Sequence, residues 1–460
     1  CGRHRGRARG WTGAGSGGGA PVTLRRLLLA FVLLLSGCSG NNWFGGGEDP
    51  PLPGERVPVM LLEREVTADP GLASLPIQLP PPERNAAWPQ SGGLPSHAFH
   101  HLAANDDLRL AWRADIGTGA AGSGQLLARP VVAEGRVFTM DADGTISAFD
   151  GQTGSLAWRY EPEDLADEVE LGGGLAYDGG WLFATLSSGT VIGLNASSGT
   201  EVWRQSLLLP LRAAPTVADG RLLVVSADNQ LYALDGETGQ PIWRHTGFFE
   251  GAGLLGGPSP AVGDSVVVVP YSSAEVYALR LDNGRPLWND TVQRPRRTLG
   301  LAEINDIDGM PVIEDSRVYV ASYGGQTAAI DLLRGIRAWD IDLASTQTPW
   351  LAGDFIYLLT TRGEVVCLLR DNGRVRWVSP LPRLEDPDDP SSEPISWTGP
   401  ILVGDRLLLA GSTGEALTMS PYNGEILGRI DLPGPVLIPP VAADGSVYLL
   451  TEDAELLAYR

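Results

Sequence analysis

From about residue 127 onward, apolar residues alternate with polar ones in short runs, and each run stops at a Gly, Asp or Asn. One stretch carries the whole pattern. Pro130-Val-Val-Ala-Glu-Gly135 leads into Arg136-Val-Phe-Thr-Met-Asp141, then Gly144-Thr-Ile-Ser-Ala-Phe-Asp150, then Ser155-Leu-Ala-Trp-Arg159. A period of two over so few residues predicts β-strands, and the Gly, Asp and Asn between them predict tight turns. Four such strands make one antiparallel unit. Units fall near 127–162, 170–207, 212–247, 256–293, 308–343, 347–381 and 396–431. A last one, 435–460, stops after three strands.

The units share a motif. Its clearest copies are Ala148-Phe-Asp150-Gly-Gln-Thr153-Gly154-Ser-Leu-Ala-Trp158 and Ala233-Leu-Asp235-Gly-Glu-Thr238-Gly239-Gln-Pro-Ile-Trp243. Looser copies end at Trp203, Trp288, Trp339 and Trp377, and Trp112 precedes them all. The Trp-to-Trp steps are 46, 45, 40, 45, 51 and 38 residues. A repeat of that length with four short strands predicts an all-β, eight-bladed β-propeller. The seventh unit has Gly428 where the others have Trp. The missing fourth strand of the last unit is supplied by Leu108-Arg-Leu-Ala-Trp112-Arg113, which reads as an outer strand and would dock beside 455–460. The ring would then close without an open edge. Within the motif, the Gly would allow the next blade to approach, the Trp would fill the seam, and the Asp and Thr would satisfy the turn.

The start of the chain follows other rules. Residues 1–21 are rich in Arg and Gly and begin with Cys, as expected of a mis-called start, with Val22 as an alternative first residue. Arg25-Arg26 precede nine apolar residues, Leu27 to Leu35, too few to span a bilayer. Residues 1–37 thus read as a signal peptide. Residues 38–54 are a Gly-, Asn- and Pro-rich tether, 55–106 a Pro-rich extended arm anchored through Trp88, and 107–460 the propeller.

Charge narrows the partners. Every basic residue is Arg. Six of the 34 lie in residues 1–37, which hold no Asp or Glu, leaving 28 against 55 acids, a formal charge of −27. Such a surface disfavours nucleic acid and anionic membrane as direct partners and suits a basic or polar one. Cys367, in the apolar run Glu364-Val-Val-Cys-Leu-Leu, reads as a core residue. His97, His100 and His101 are close in sequence, but their spacing matches no closed metal site. Arg294, Arg296 and Arg297 form a basic patch suited to local ion pairs. With only His245 in the propeller, no Ser-His-Asp arrangement can be drawn.

The repeats resemble the tryptophan-docking repeats first named for pyrroloquinoline quinone (PQQ) dehydrogenases, over about 108–460. Two families share them. Quinoprotein dehydrogenases resemble one another in adjacent cysteines over the quinone, a calcium-ligand set and a catalytic Asp; this chain has no Cys-Cys pair. The other family is BamB, a lipoprotein subunit of the outer-membrane β-barrel assembly machinery. Leu35-Ser36-Gly37-Cys38 resembles the lipobox, which implies cleavage before Cys38, lipidation of its thiol and, with Ser39 following, the outer membrane. BamB-like proteins hold BamA through a Leu-x-Leu-Arg segment and an Asp-x-Asp segment on one face. Leu209-Pro210-Leu211-Arg212 and Asp306-Ile307-Asp308 match them. The resemblance therefore implies Leu209, Leu211, Arg212, Asp306 and Asp308 as partner-binding residues. Leu209 and Leu211 would form an apolar anchor, with Arg212 as a charged hot spot and the two aspartates facing cations on the partner. The bland alternative is that the leucines begin a strand and the aspartates form turns.

The expected function is a non-catalytic scaffold with no cofactor and no metal. It would be attached to the periplasmic face of the outer membrane by its lipid alone, binding a BamA-like protein and unfolded outer-membrane proteins. The alternatives are a propeller paralogue that binds a cofactor or another envelope partner such as a surface polysaccharide, or a relative of the quinoprotein dehydrogenases. The Pro-rich arm and the acidic insertion Glu385-Asp-Pro-Asp-Asp-Pro390 depart from the BamB pattern.

Overall fold

The computed structural model describes residues 65–105, 107–120, 125–163, 172–249, 254, 256–293 and 306–460. The leader, Cys38 and the tether, the first part of the arm, and Arg294, Arg296 and Arg297 lie outside the described residues. Within them, strands of three to seven residues group into eight four-stranded antiparallel sheets. We call the strands of a blade a to d, from the axis outward. Blade 1 is Val131–Ala133, Arg136–Met140, Ile146–Asp150 and Leu156–Tyr160. Blades 2 to 7 follow in chain order. Blade 8 takes strands a to c from Val441–Ala443, Ser446–Leu450 and Glu455–Tyr459, and its d strand from Leu110–Asp115. That d strand pairs antiparallel with c, from Leu110 opposite Tyr459 to Asp115 opposite Glu455. The ring is an eight-bladed β-propeller closed by an N-terminal strand.

Strands b and c lie between neighbouring blades and are apolar on both faces; Val266–Pro270 is buried at every position. The d strands have a free edge and expose more of their residues, as Pro286–Thr291 does. The a–b and c–d turns open on one face of the ring, the lower face. The b–c turns and the d–a connections open on the upper face.

The seams explain the repeat motif. Each motif Trp sits on a d strand and donates its indole N–H to a backbone carbonyl in the c–d turn of the next blade. Trp158 reaches Ala196 O at 3.0 Å, Trp203 reaches Gly236 O at 3.1 Å, and Trp112 reaches Gly151 O at 3.1 Å. Trp243, Trp288, Trp339 and Trp377 do the same. The turn's Gly lies flat against the ring: a Cβ on Gly199 would stand 2.5 Å from Trp158. Asp150 holds the turn from within, accepting from Thr153 N, Thr153 Oγ1 and Gln152 N. Gly428 takes the Trp position of blade 7, next to blade 8. Strands c and d of blade 8 come from opposite ends of the chain, so no turn joins them, and a Trp at 428 would find no such carbonyl.

The arm does more than pack on the propeller. Residues 85–102 run once around the axis and bond to the innermost strand region of every blade. Asn85 Nδ2 donates to Ala442 O in blade 8, and Asp444 N to Asn85 O. Trp88 exchanges backbone bonds with Val132 in blade 1, and Pro89 O accepts from Tyr177 in blade 2. The Gln90 amide brackets Val217 in blade 3, accepting from its N and donating to its O at 2.9 Å each. Pro95 O and Ser96 O accept from Val262 and Ile313, in blades 4 and 5. His100 O accepts from Trp350 Nε1 in blade 6, and Leu102 bridges Leu402 and Gly404 in blade 7. Innermost strands present unpaired edges to the axis, and the arm satisfies them. Its buried Trp88 stacks on Phe99 at 4.5 Å, and Phe99 on Trp350 at 6.0 Å.

Candidate functional site on the upper face

The two segments singled out in the sequence meet on the upper face, above blades 3 to 5. Leu209-Pro-Leu-Arg212 runs out of the blade 2 to blade 3 connection and prolongs the innermost strand of blade 3. Ala227 N donates to Pro210 O at 2.8 Å, Leu211 bridges Ser226, and Arg212 N donates to Val225 O at 3.2 Å. This turns Leu211 into the core, where it is 1 % exposed beside Phe183 and Val224. Leu207 is buried as well and Leu209 is half-buried. Leu208, in a left-handed backbone at φ 63°, points out to solvent.

Arg212 and Asp306 form a buried ion pair. Nη2 of Arg212 lies 3.1 Å and 3.0 Å from the two carboxylate oxygens of Asp306. Arg212 Nε also donates to Gly256 O at 3.1 Å, and Oδ2 of Asp306 accepts from Leu254 N at 2.8 Å. The backbone carbonyl of Asp306 accepts from Tyr323 N at 3.0 Å, in the b–c turn of blade 5. One ion pair thus rivets three d–a connections and one b–c turn. Gly257 makes the approach feasible, since a Cβ there would stand 2.2 Å from Arg212 Nε. A buried, doubly bonded pair of this kind fixes geometry more than it adds stability.

Asp308 lies beside this pair. Burial, then the nearby Asp306 carboxylate, raise its pKa to about 6, against the pull of Arg212 and Arg129. Arg129 precedes the first strand of blade 1, and its burial lowers its own pKa to about 10. It donates to Ser91 O of the arm at 3.3 Å. Between the arm and the upper connections remains an axial cavity of about 30 Å³, lined by Trp88, His97, Phe99, Arg129 and Gln347 among others. Burial holds the His97 pKa down, to about 4. Its Nδ1 lies 2.8 Å from Pro311 O, so the ring is neutral with Nδ1–H donating.

Two expectations need correction. Leu211 and Arg212 are not an exposed anchor and hot spot: prolonging the blade 3 strand pulls both side chains inward. Asp306, fully buried, spends its carboxylate on Arg212 and on a backbone N–H, leaving nothing for a partner's cation. The histidines diverge. His97 turns to Pro311, His100 pairs with Glu314, and His101 spans Pro80 O and Gly404 O. Among the described residues no group of three or more His, Cys, Asp and Glu is placed to hold a metal ion. Cys367 is buried in blade 6, which pushes its thiol pKa well up.

Four exposed apolar residues, Leu208, Phe248, Phe249 and Tyr323, lie on the segments that the ion pair joins, and the repeat pattern does not single them out. The signal was present in Gly247-Phe-Phe-Glu-Gly251, two aromatics set between glycines in a connection.

The sequence profile of the family described as outer membrane protein assembly factor BamB matches residues 98–169 and 161–379. This chain belongs to the BamB family. An outer membrane protein assembly factor BamB from Shewanella oneidensis is 24% identical over 358 residues, covering 75% of this chain and 87% of the relative. The crystal structure of BamB from Moraxella catarrhalis superposes with a TM-score of 0.65 at 21% identity, over 77% of this chain and 100% of that one. A quinohemoprotein alcohol dehydrogenase from Pseudomonas putida has a TM-score of 0.60 at 13% identity, covering 82% of this chain and 80% of that one. At that identity it shares the fold alone. The BamB match begins inside the arm and takes in both the 209–212 and the 306–308 segments.

Proposed function

We propose that this chain is a non-catalytic lipoprotein scaffold of the machinery that assembles outer-membrane β-barrels. It docks on a BamA-like subunit through its upper face and aids the insertion of outer-membrane proteins. The observation that carries the reading is the Arg212–Asp306 rivet, which locks connections from blades 2 to 5 into one rigid surface. Preorganised loops lose little entropy on binding, so a scaffold benefits from having them fixed beforehand. The acidic balance of the chain suits a basic partner surface. Lipidation at Cys38 would tether the ring to the periplasmic face of the outer membrane, with 38–54 as the leash. The axis favours a scaffold over a cofactor carrier, because the chain's own arm fills it and leaves a cavity of only about 30 Å³.

The test is a pull-down of the cognate BamA-like periplasmic region by wild type, Arg212→Met and Asp306→Leu. Thermal unfolding checks that each ring is intact. Recovery by wild type with loss in both variants supports the reading. No recovery by correctly folded wild type, or equal recovery by all three, overturns it.

A further inference from the structure

The buried pair cannot itself touch a partner, so the contact must be made by whatever the rivet holds up. Leu208 is 87% exposed, Phe248 71%, Phe249 70% and Tyr323 42%. Each rides on a segment tied to the pair. Leu208 lies four residues before Arg212. Phe248 and Phe249 belong to the connection that supplies Leu254 N and Gly256 O. Tyr323 is bonded through its backbone N–H to Asp306 O. Two of the segments also share a support. The Ser226–Asn229 turn of blade 3 receives Pro210 O on Ala227 N at 2.8 Å, and Asn229 Nδ2 donates to Phe248 O at 2.6 Å. Phe248 N is in turn held by Glu275 at 3.0 Å.

These residues are not exposed by accident of a loose loop. Leu208 occupies the left-handed region, which costs a non-glycine residue about 1 kcal/mol or more. That conformation is what turns its side chain outward between the buried Leu207 and the half-buried Leu209. Large apolar groups held rigidly in water mark a binding surface.

The rest of the upper face identifies the occupant's chemistry. Around blades 8, 1 and 2 it exposes Asp143, Glu161, Glu163 and Asp453, and beyond blade 6 it carries Asp386 and Asp388. We propose that Leu208, Phe248, Phe249 and Tyr323 form the contact patch of this face. Its occupant is a folded protein surface with an apolar centre bordered by Lys and Arg, which meet the acidic rim. The inference rests on the docking reading above and names the side chains that carry it.

The test measures affinity for the purified periplasmic region of the cognate BamA-like protein. It compares wild type, Leu208→Ala/Phe248→Ala/Phe249→Ala, and Leu208→Met/Phe248→Leu/Phe249→Leu, at low and high salt. The alanine variant should bind about 10- to 100-fold more weakly with an unchanged melting temperature, since the side chains are solvent-exposed. The second variant, which keeps apolar bulk, should recover most of the affinity, and salt should slow association. Alanine-variant binding within twofold of wild type would overturn the patch while leaving the docking reading standing. Wild type that fails to bind at all would overturn both.

Discussion

Removing one partner of the Arg212–Asp306 pair should be among the most damaging single changes on the upper face. In Arg212→Met the Asp306 carboxylate, fully buried, loses both guanidinium contacts and keeps only Leu254 N. Stranding a buried charge in this way costs about 3–5 kcal/mol. Gly256 O loses its donor as well, adding about 1–3 kcal/mol if water cannot reach it. The double variant Arg212→Met/Asp306→Leu removes both charges and leaves only the two backbone groups unpaired, so it should be more stable than Arg212→Met by about 2 kcal/mol or more. The assay is denaturant unfolding of the four proteins of the cycle, with hydrogen exchange at Leu254 and Tyr323 to read the loops directly. If Arg212→Met cost less than about 1 kcal/mol, or the double variant were the less stable, the pair would not be the rivet described here.

Three further outcomes are expected. Gly199 and Gly220 have φ of 72° and 70°, but only Gly199 faces a Trp ring at 2.5 Å, while Gly220 meets nothing within 4 Å. Gly199→Ala should therefore cost about 1–3 kcal/mol more than Gly220→Ala in denaturant melts, and equal costs would refute the docking account of the motif. Asp308 has a folded pKa of about 6 against 3.8 for the free group. Its contribution to stability is thus fully present below about pH 4 and is lost as pH rises through 6. Asp308→Asn should match wild type at low pH and exceed it by about 3 kcal/mol at pH 8; a gap independent of pH would count against this assignment. Deleting 455–460 removes strand c of blade 8, including the fully buried Leu456 and Leu457, and separates Leu110–Asp115 from the ring. Thermal scans should show a large loss, and a near-unchanged melting temperature would contradict closure by that strand.

The ring was legible because its motif acts locally and at the same distance each time. Asp150 and Thr153 shape their own turn, and Trp158 always meets the turn one blade on. Closure was legible for the same reason: Leu108–Arg113 looks like any other d strand. The site was only half legible. The resemblance brought 209–212 and 306–308 to one face, and the structure joins them. It gave no warning that the joining buries them, since in the run Leu207-Leu208-Leu209 the outward residue is chosen by a single left-handed backbone angle at Leu208. The arm was the least legible part. It has no periodicity, and most of its bonds to the blades use backbone atoms, which leave little trace in residue type.

A stack of repeats that touch only their neighbours unravels from its ends, one unit at a time. The arm removes that freedom here. Residues about 350 apart in sequence, such as Asn85 and Ala442, are joined directly, and every blade shares the same short segment. Loss of one blade should therefore withdraw support from all the others, so that the ring melts as one cooperative unit. The same stitch sets an order of events during synthesis. The arm is made first, yet its last partners belong to blades 7 and 8, so it waits with Trp88 and Phe99 uncovered until almost the whole chain exists. Folding dominated by such distant contacts is slow and leaves apolar segments open to aggregation. The feature that makes the finished ring rigid thus makes the nascent chain dependent on protection until its final strand arrives.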